Sequence, residues 1–204
     1  MPIKAVIWDL GGVILRTEDA APRQHLAGRL GMPRDDLEEL VFHSPSGTQA
    51  QLGEITVEQH WENLRQVLNL TQEEMPAVRE AFWGGDRLDS GLLDDIRTLR
   101  TRVRLGLLSN AFSDLRQVIT DIWGFADIFD QMVISAEIGI MKPDPRIYQL
   151  ALDQLEVQPG EAVFVDDFTH NVEGARVLGI PAILFKNRQQ AWQDLQAMFT
   201  EDTR

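Results

Sequence analysis

Five short runs of apolar, largely β-branched residues punctuate the chain: Ala5–Trp8 (AVIW), Val103–Leu108 (VRLGLL), Gln131–Ile134 (QMVI), Ala162–Val165 (AVFV) and Ala182–Phe185 (AILF). They are near-continuous rather than alternating, as strands buried on both faces of a parallel sheet are. From Ser90 onward, apolar stripes at helical spacing separate them. Leu92, Leu93, Ile96 and Leu99 share one face; Leu115, Val118, Ile119 and Ile122 share another. Ile147, Leu150, Ala151 and Leu155 form a third, and Val172, Ala175 and Leu178 a fourth. Strand and helix in alternation predict an α/β fold, a Rossmann-like parallel five-stranded sheet flanked by helices.

From Arg16 to about Leu88 this rhythm stops. No convincing strand is visible there, but helical patterns run over His25–Leu30, Asp36–Phe42, Val57–Leu68 and Glu73–Trp83. Thr56 and Thr71 stand where N-caps belong, the latter with Glu74 three residues on, the spacing of a capping box. The pattern therefore predicts a helical module, residues 16–87, inserted into a sheet domain made of residues 1–15 and 88–204.

Composition narrows the function classes. The chain has 204 residues and no cysteine, which removes disulfides, thiol catalysis and cysteine-ligated zinc. Its formal net charge is −13 and no basic cluster interrupts the acidity, so no nucleic-acid partner is expected. The apolar run near the N-terminus is broken by Asp9, and no other run approaches a membrane span. A soluble, cytoplasmic protein with no membrane association is the expectation. An anionic substrate would need local cations to overcome the field of the whole chain.

Ligands of open α/β sheets bind beyond the carboxyl ends of the strands. The first run is followed by Asp9, Leu10, Gly11 and Gly12; the second by Ser109 and Asn110. The third leads to Lys142, just before a helix opened by Asp144 and Pro145. The fourth ends in Asp166 and Asp167, with Asn171 on the following turn. Singly, each reads as a cap, a turn former or a solvated charge. Jointly they bring three carboxylates, an ammonium, a hydroxyl and two amides to one sheet edge. Adjacent carboxylates repel and call for a cation, and Mg2+ suits oxygen ligands.

In this order, "WDLGGV", "LLSN", "GIMKPDPRIY" and "VFVDDFTHNVEGA" resemble the haloacid dehalogenase-like (HAD) hydrolase superfamily, most of whose members are phosphatases. The resemblance implies a mobile helical cap after the first motif, where the 16–87 insertion falls. It implies that Asp9 is the nucleophile that forms an aspartyl-phosphate. It implies Mg2+ held by Asp9, the carbonyl of Gly11 and Asp167, with Asp166 a ligand directly or through water. Ser109 and the backbone of Asn110 would bind phosphoryl oxygens, and Lys142 would neutralise charge on nucleophile and phosphoryl group. The substrate is then a small-molecule phosphate ester.

One departure stands out. The superfamily's first motif is usually Asp-x-Asp, whose second Asp protonates the leaving group and activates water, and here that position is Gly11. The sequence resembles a branch with "DLGN" or "DLGG" at this point, which includes sugar-1-phosphate phosphatases. A 2-haloacid dehalogenase, which needs neither that Asp nor a metal, and a catalytically silent protein of the same fold are the alternatives. His25, His43, His60 and His170 show no metal-ligand spacing.

Overall fold

The computed structural model describes residues 2–201; Met1 and residues 202–204, which the sequence reading places in the sheet domain, lie outside the described residues. Five strands form one parallel sheet: β1 (Ala5–Trp8), β4 (Arg104–Ser109), β5 (Gln131–Ile134), β6 (Ala162–Asp166) and β7 (Ala182–Leu184), in the spatial order β5-β4-β1-β6-β7. All five predicted runs are strands, shifted by a residue or so at their ends. β1 is central, pairing with β4 on one side and β6 on the other.

The continuous apolar character of the strands has its reason in the two cores. Val6 and Trp8 of β1, with Leu105, Leu107, Val163 and Val165, pack under α6 (Ser90–Leu99) and α11 (Arg188–Glu201). Their neighbours Ala5, Ile7, Leu108 and Phe164 face the other way, onto α9 (Pro145–Leu155) and α10 (Thr169–Val177). Side chains alternate across a strand, so every strand position must be apolar when both faces are covered.

One predicted stripe is off. After α7 (Leu115–Gln117) the helix widens into a π-helical turn, Val118–Trp123. Ile119 is buried, but Ile122 is 73% exposed, and Trp123 takes the inward place instead. Closing i to i+5 rather than i to i+4 adds a residue per turn and rotates Ile122 off the packed face.

The insertion is helical, as expected: α1 (Ala21–Arg29), α2 (Arg34–Phe42), α3 (Pro45–Gln51), α4 (Val57–Val67) and α5 (Met75–Trp83). Three details differ from the sequence reading. The short α3, opened by Ser44 accepting from the Gly47 N–H, carries no amphipathic stripe to betray it. The complete capping box belongs to Thr56 with Gln59, whereas Glu74 accepts from the Thr71 N–H and hydroxyl and α5 starts only at Met75. And the segment does contain strands: β2 (Leu15–Thr17) and β3 (Asp86–Leu88) pair antiparallel, joining the two chain crossings between sheet and insertion. Three-residue strands are too short to show a period, so the pattern could not reveal them.

That ribbon is tied at its ends. Thr17 Oγ1 donates to Asp86 at 2.6 Å, and the Arg16 guanidinium bridges Glu18 and Asp89. Both oxygens of Asp86 also accept from Nη2 of Arg23, a buried guanidinium whose Nη1 donates to Glu38 and whose Nε donates to the Phe82 carbonyl.

Candidate active site

The register of β1 sets the site. Trp8 lies level with Leu107 of β4 and Val165 of β6, so the next residue of β1, Asp9, emerges beside Asp166 at the carboxyl edge. Asp9, Ser109, Lys142 and Asp166 are all buried there. The Lys142 ammonium reaches Asp9 Oδ1 at 2.8 Å, Asp166 Oδ2 at 2.6 Å and the Leu108 carbonyl at 3.1 Å. Its three donors are thereby used.

Asp9 Oδ1 also accepts the Leu10 N–H at 2.7 Å, so both of these bonds fall on one oxygen and Oδ2 carries neither. The turn after Asp9 is drawn tight by the Leu10 carbonyl, which accepts from the N–H groups of Val13, Ile14 and Leu15. The Gly11 carbonyl enters none of these bonds.

The two glycines differ sharply. Gly12 has φ +73°, and a Cβ there would lie 2.0 Å from the Asp167 carboxylate. It is glycine so that Asp167 can occupy that space. Gly11 is under no such demand: a Cβ would meet nothing within 4 Å. Position 11 is open, and the sequence simply leaves it so.

The two adjacent aspartates also differ. Asp166 accepts from Lys142, from the Phe168 N–H and, with both oxygens, from Asn171 Nδ2. Asn171 sits in the first turn of α10, not on a free turn as the sequence reading had it. Asp167 Oδ1 is buried with no hydrogen-bond partner. Such a group costs about 1–3 kcal/mol unless something binds it.

Asp9, Asp166 and Asp167 each bring an oxygen within 4.8 Å of the others. If all three were ionised, the carboxylates against one ammonium would leave two negative charges uncompensated. Burial, reinforced by Asp166 and Asp167 and opposed by Lys142, pushes the Asp9 carboxyl up to about 8. Burial and Asp166 push Asp167 up to about 6. Burial by itself would lower Lys142, but Asp9 and Asp166 outweigh it and hold its pKa above the ordinary value. The donor set, all hard oxygen with surplus negative charge and an orphaned buried carboxylate oxygen, fits a divalent cation such as Mg2+.

Sequence reasoning missed the bracing. Asn110 uses its side chain on the Lys142 backbone, donating to the carbonyl at 2.9 Å and accepting from the N–H at 2.8 Å. The Ser135 hydroxyl similarly accepts from the Ala111 N–H at 3.0 Å and donates to its carbonyl. The loops after β4 and β5 are thus sewn together. His170 lies exposed on α10, its ring 5.4 Å from that of Phe168.

An α/β sheet with an acidic carboxyl edge and a helical insertion after its first strand defines a hydrolase class, and comparison identifies it. The model of the haloacid dehalogenase-like hydrolase family matches residues 3–179. The chain belongs to this family. Over 96% of its length it is 27% identical to bifunctional epoxide hydrolase 2 of Rattus norvegicus, of which the match spans 39%. It thus covers about two fifths of that relative. It is 28% identical to the sesquiterpene phosphatase astK of Aspergillus oryzae, over 87% of each chain. Among solved structures it resembles a HAD family enzyme of Bacteroides thetaiotaomicron in complex with magnesium and inorganic phosphate. There the TM-score is 0.75 at 24% identity, covering 90% of this chain and 94% of that one, a likeness of fold. No helix among the described residues is long and apolar enough to cross a membrane.

Proposed function

We propose that this chain is a Mg2+-dependent phosphatase of small phosphate esters, working through a phosphorylated Asp9. The observation that carries this reading is a pair of neighbours: an Asp9 held by Lys142 with one oxygen uncommitted, and an Asp167 whose buried oxygen lacks a partner. The names of relatives lend support, since a sesquiterpene phosphatase and, over a shorter stretch, a phosphoserine phosphatase of Thermus thermophilus are among them.

In this reading Asp9, Asp167 and the Gly11 carbonyl hold the metal, while Asp166, its oxygens committed to Lys142, Asn171 and the Phe168 N–H, acts from one step back. The bound ion supplies neutralisation of phosphoryl charge as that charge develops. Asp9 Oδ2 attacks phosphorus; the Asp9–phosphorus bond forms as the bond to the ester oxygen breaks. Lys142 aims Asp9 and, together with the charge of a bound cation, would draw its carboxyl back to the ionised form that burial disfavours, and Ser109 with the Asn110 N–H binds phosphoryl oxygens. Water then displaces Asp9 and releases phosphate. Positioning and charge compensation carry most of such a transfer.

With glycine at position 11, no carboxylic acid protonates the departing oxygen. Substrates whose leaving oxygen is already acidic are favoured: a sugar 1-phosphate of the kind its "DLGG" motif resembles, an acyl phosphate or an aryl phosphate. The test is phosphate release from a metabolite panel with and without Mg2+, beside halide release from a 2-haloacid. Mg2+-dependent phosphate release is expected. Metal-free halide release would instead establish a dehalogenase, and phosphate binding without turnover a silent relative.

A further inference from the structure

Within the insertion, five helices enclose one apolar cluster, whose buried members run from Leu26 to Phe82 with a single exception. The exception is Phe112, which belongs to the loop after β4, three residues beyond Ser109. Its ring lies 5.2 Å from that of His60 and stacks at 6.4 Å on Phe42, inside the insertion's core. A residue of the sheet domain is thus a structural member of the other module.

A second contact lies nearby. At the end of α3, Gly53 approaches the carbonyl of Ala136 so closely that a Cβ would fall 2.0 Å from it. Ala136 follows Ser135 in α8 (Ser135–Ile138), which leads toward Lys142. Both contacts reach loops that the site uses, and those loops are joined to each other. Ser135 bonds the Ala111 backbone, and Asn110 bonds the Lys142 backbone in both directions.

We infer that Phe112 is a positioning residue: by anchoring the loop after β4 in the insertion's core, it makes the anion-binding arrangement of Ser109, Asn110 and Lys142 depend on the insertion being seated. Its functional side rests on the phosphatase reading above; its mechanical side does not. Were the insertion displaced, the loop would have either to follow Phe112 or to release it. In the first case the Asn110–Lys142 pairing would be pulled and in the second it would lose its brace, so phosphate should be gripped best with Phe112 seated.

Amide hydrogen exchange of the full chain, with inorganic phosphate and p-nitrophenyl phosphate as probes, tests this. In Phe112→Ala, exchange at Ala111 and Lys142 should accelerate together with that of the insertion. Inorganic phosphate should inhibit more weakly, and kcat/KM should fall on the order of 10²-fold, as small misplacements of reacting groups do. Phe112→Leu, which refills the apolar socket, should recover most of each. Gly53→Ala perturbs the other contact and should produce the same exchange signature at Ala111 and Lys142 from a distance, which keeps the test decisive if Phe112→Ala does not fold. Faster exchange confined to the insertion, with Ala111, Lys142 and phosphate inhibition unchanged, would overturn the inference. Wild-type chain that neither hydrolyses p-nitrophenyl phosphate nor binds phosphate would sink the phosphatase reading instead, while the exchange result still decides the coupling.

Discussion

The acidic edge of the sheet and the core of the helical insertion bury polar groups on opposite terms. At the edge, three carboxyl groups crowd one ammonium, and two buried oxygens, Asp167 Oδ1 and Asn171 Oδ1, are left unpartnered. In the insertion, eleven buried side chains with Phe112 make a greasy core, and its buried Arg23 is matched by Glu38, Asp86 and the Phe82 carbonyl, while His60 Nε2 is left without a partner. On the phosphatase reading the edge is tuned for a ligand, whereas the insertion is tuned to hold itself together. Substitutions at the edge should therefore cost function more than fold, and those in the insertion the reverse.

The sharpest way to break that contrast is at Asp9. Asp9→Asn keeps the shape and removes both the attacking charge and one of the repelling carboxylates, so turnover should vanish while the thermal midpoint stays within a few degrees of wild type. Asp167→Ala should act through Mg2+, raising the concentration for half-maximal activity by about tenfold or more, with recovery at high metal. Wild-type turnover in either variant would strip that residue of its proposed part.

The adjacent glycines give a finer cut. Gly12→Ala forces a Cβ onto Asp167 and a side chain into a left-handed backbone, so it should lower stability by about 1–2 kcal/mol and impair metal binding with it. Gly11→Asp meets open space and should fold normally. By supplying the missing acid, it should raise activity on a sugar 6-phosphate relative to the matched 1-phosphate, by up to the roughly 10²–10⁴-fold that general acid catalysis contributes. An unchanged ratio would mean that another residue already protonates the leaving oxygen. Burst kinetics in the wild type, with alcohol released ahead of phosphate, would show the second half-reaction slowed by the same vacancy.

The smallest effect belongs to the insertion. His60 is fully buried, with Nδ1 2.9 Å from the Ser46 hydroxyl, and burial holds its pKa below the ordinary histidine value. The unfolded chain therefore takes up a proton that the folded one resists. Stability is fully present above the ordinary histidine pKa and is lost as pH falls below it. In His60→Gln, denaturant midpoints should lose part of that pH dependence. An unaltered midpoint profile would place the dependence elsewhere.

What the sequence disclosed follows the same division. The five strands were legible because burial on both faces writes itself as an unbroken apolar run, and Asp9, Ser109, Lys142, Asp166 and Asp167 stand at predictable places after them. The ribbon of β2 and β3 was illegible because three residues carry no period, and α3 because its Pro-Ser-Gly-Thr opening looks like a loop. Ile122 misled because a π-helical turn shifts the phase of a stripe without changing its composition. The bracing by Asn110, Ser135 and Phe112 depends on which loops meet in space, and no one-dimensional spacing encodes that.

The β2–β3 ribbon has one more consequence. Arg16 lies opposite Arg87 and Thr17 opposite Asp86, so the chain leaves the sheet domain and returns to it at points one strand spacing apart, about 5 Å. To the sheet, everything between is a single outgrowth with a two-point socket. Such a socket accepts any module whose own ends meet, so the insertion is interchangeable in principle and the sheet that carries it need not be redesigned. What a replacement must still bring is a greasy hollow for Phe112.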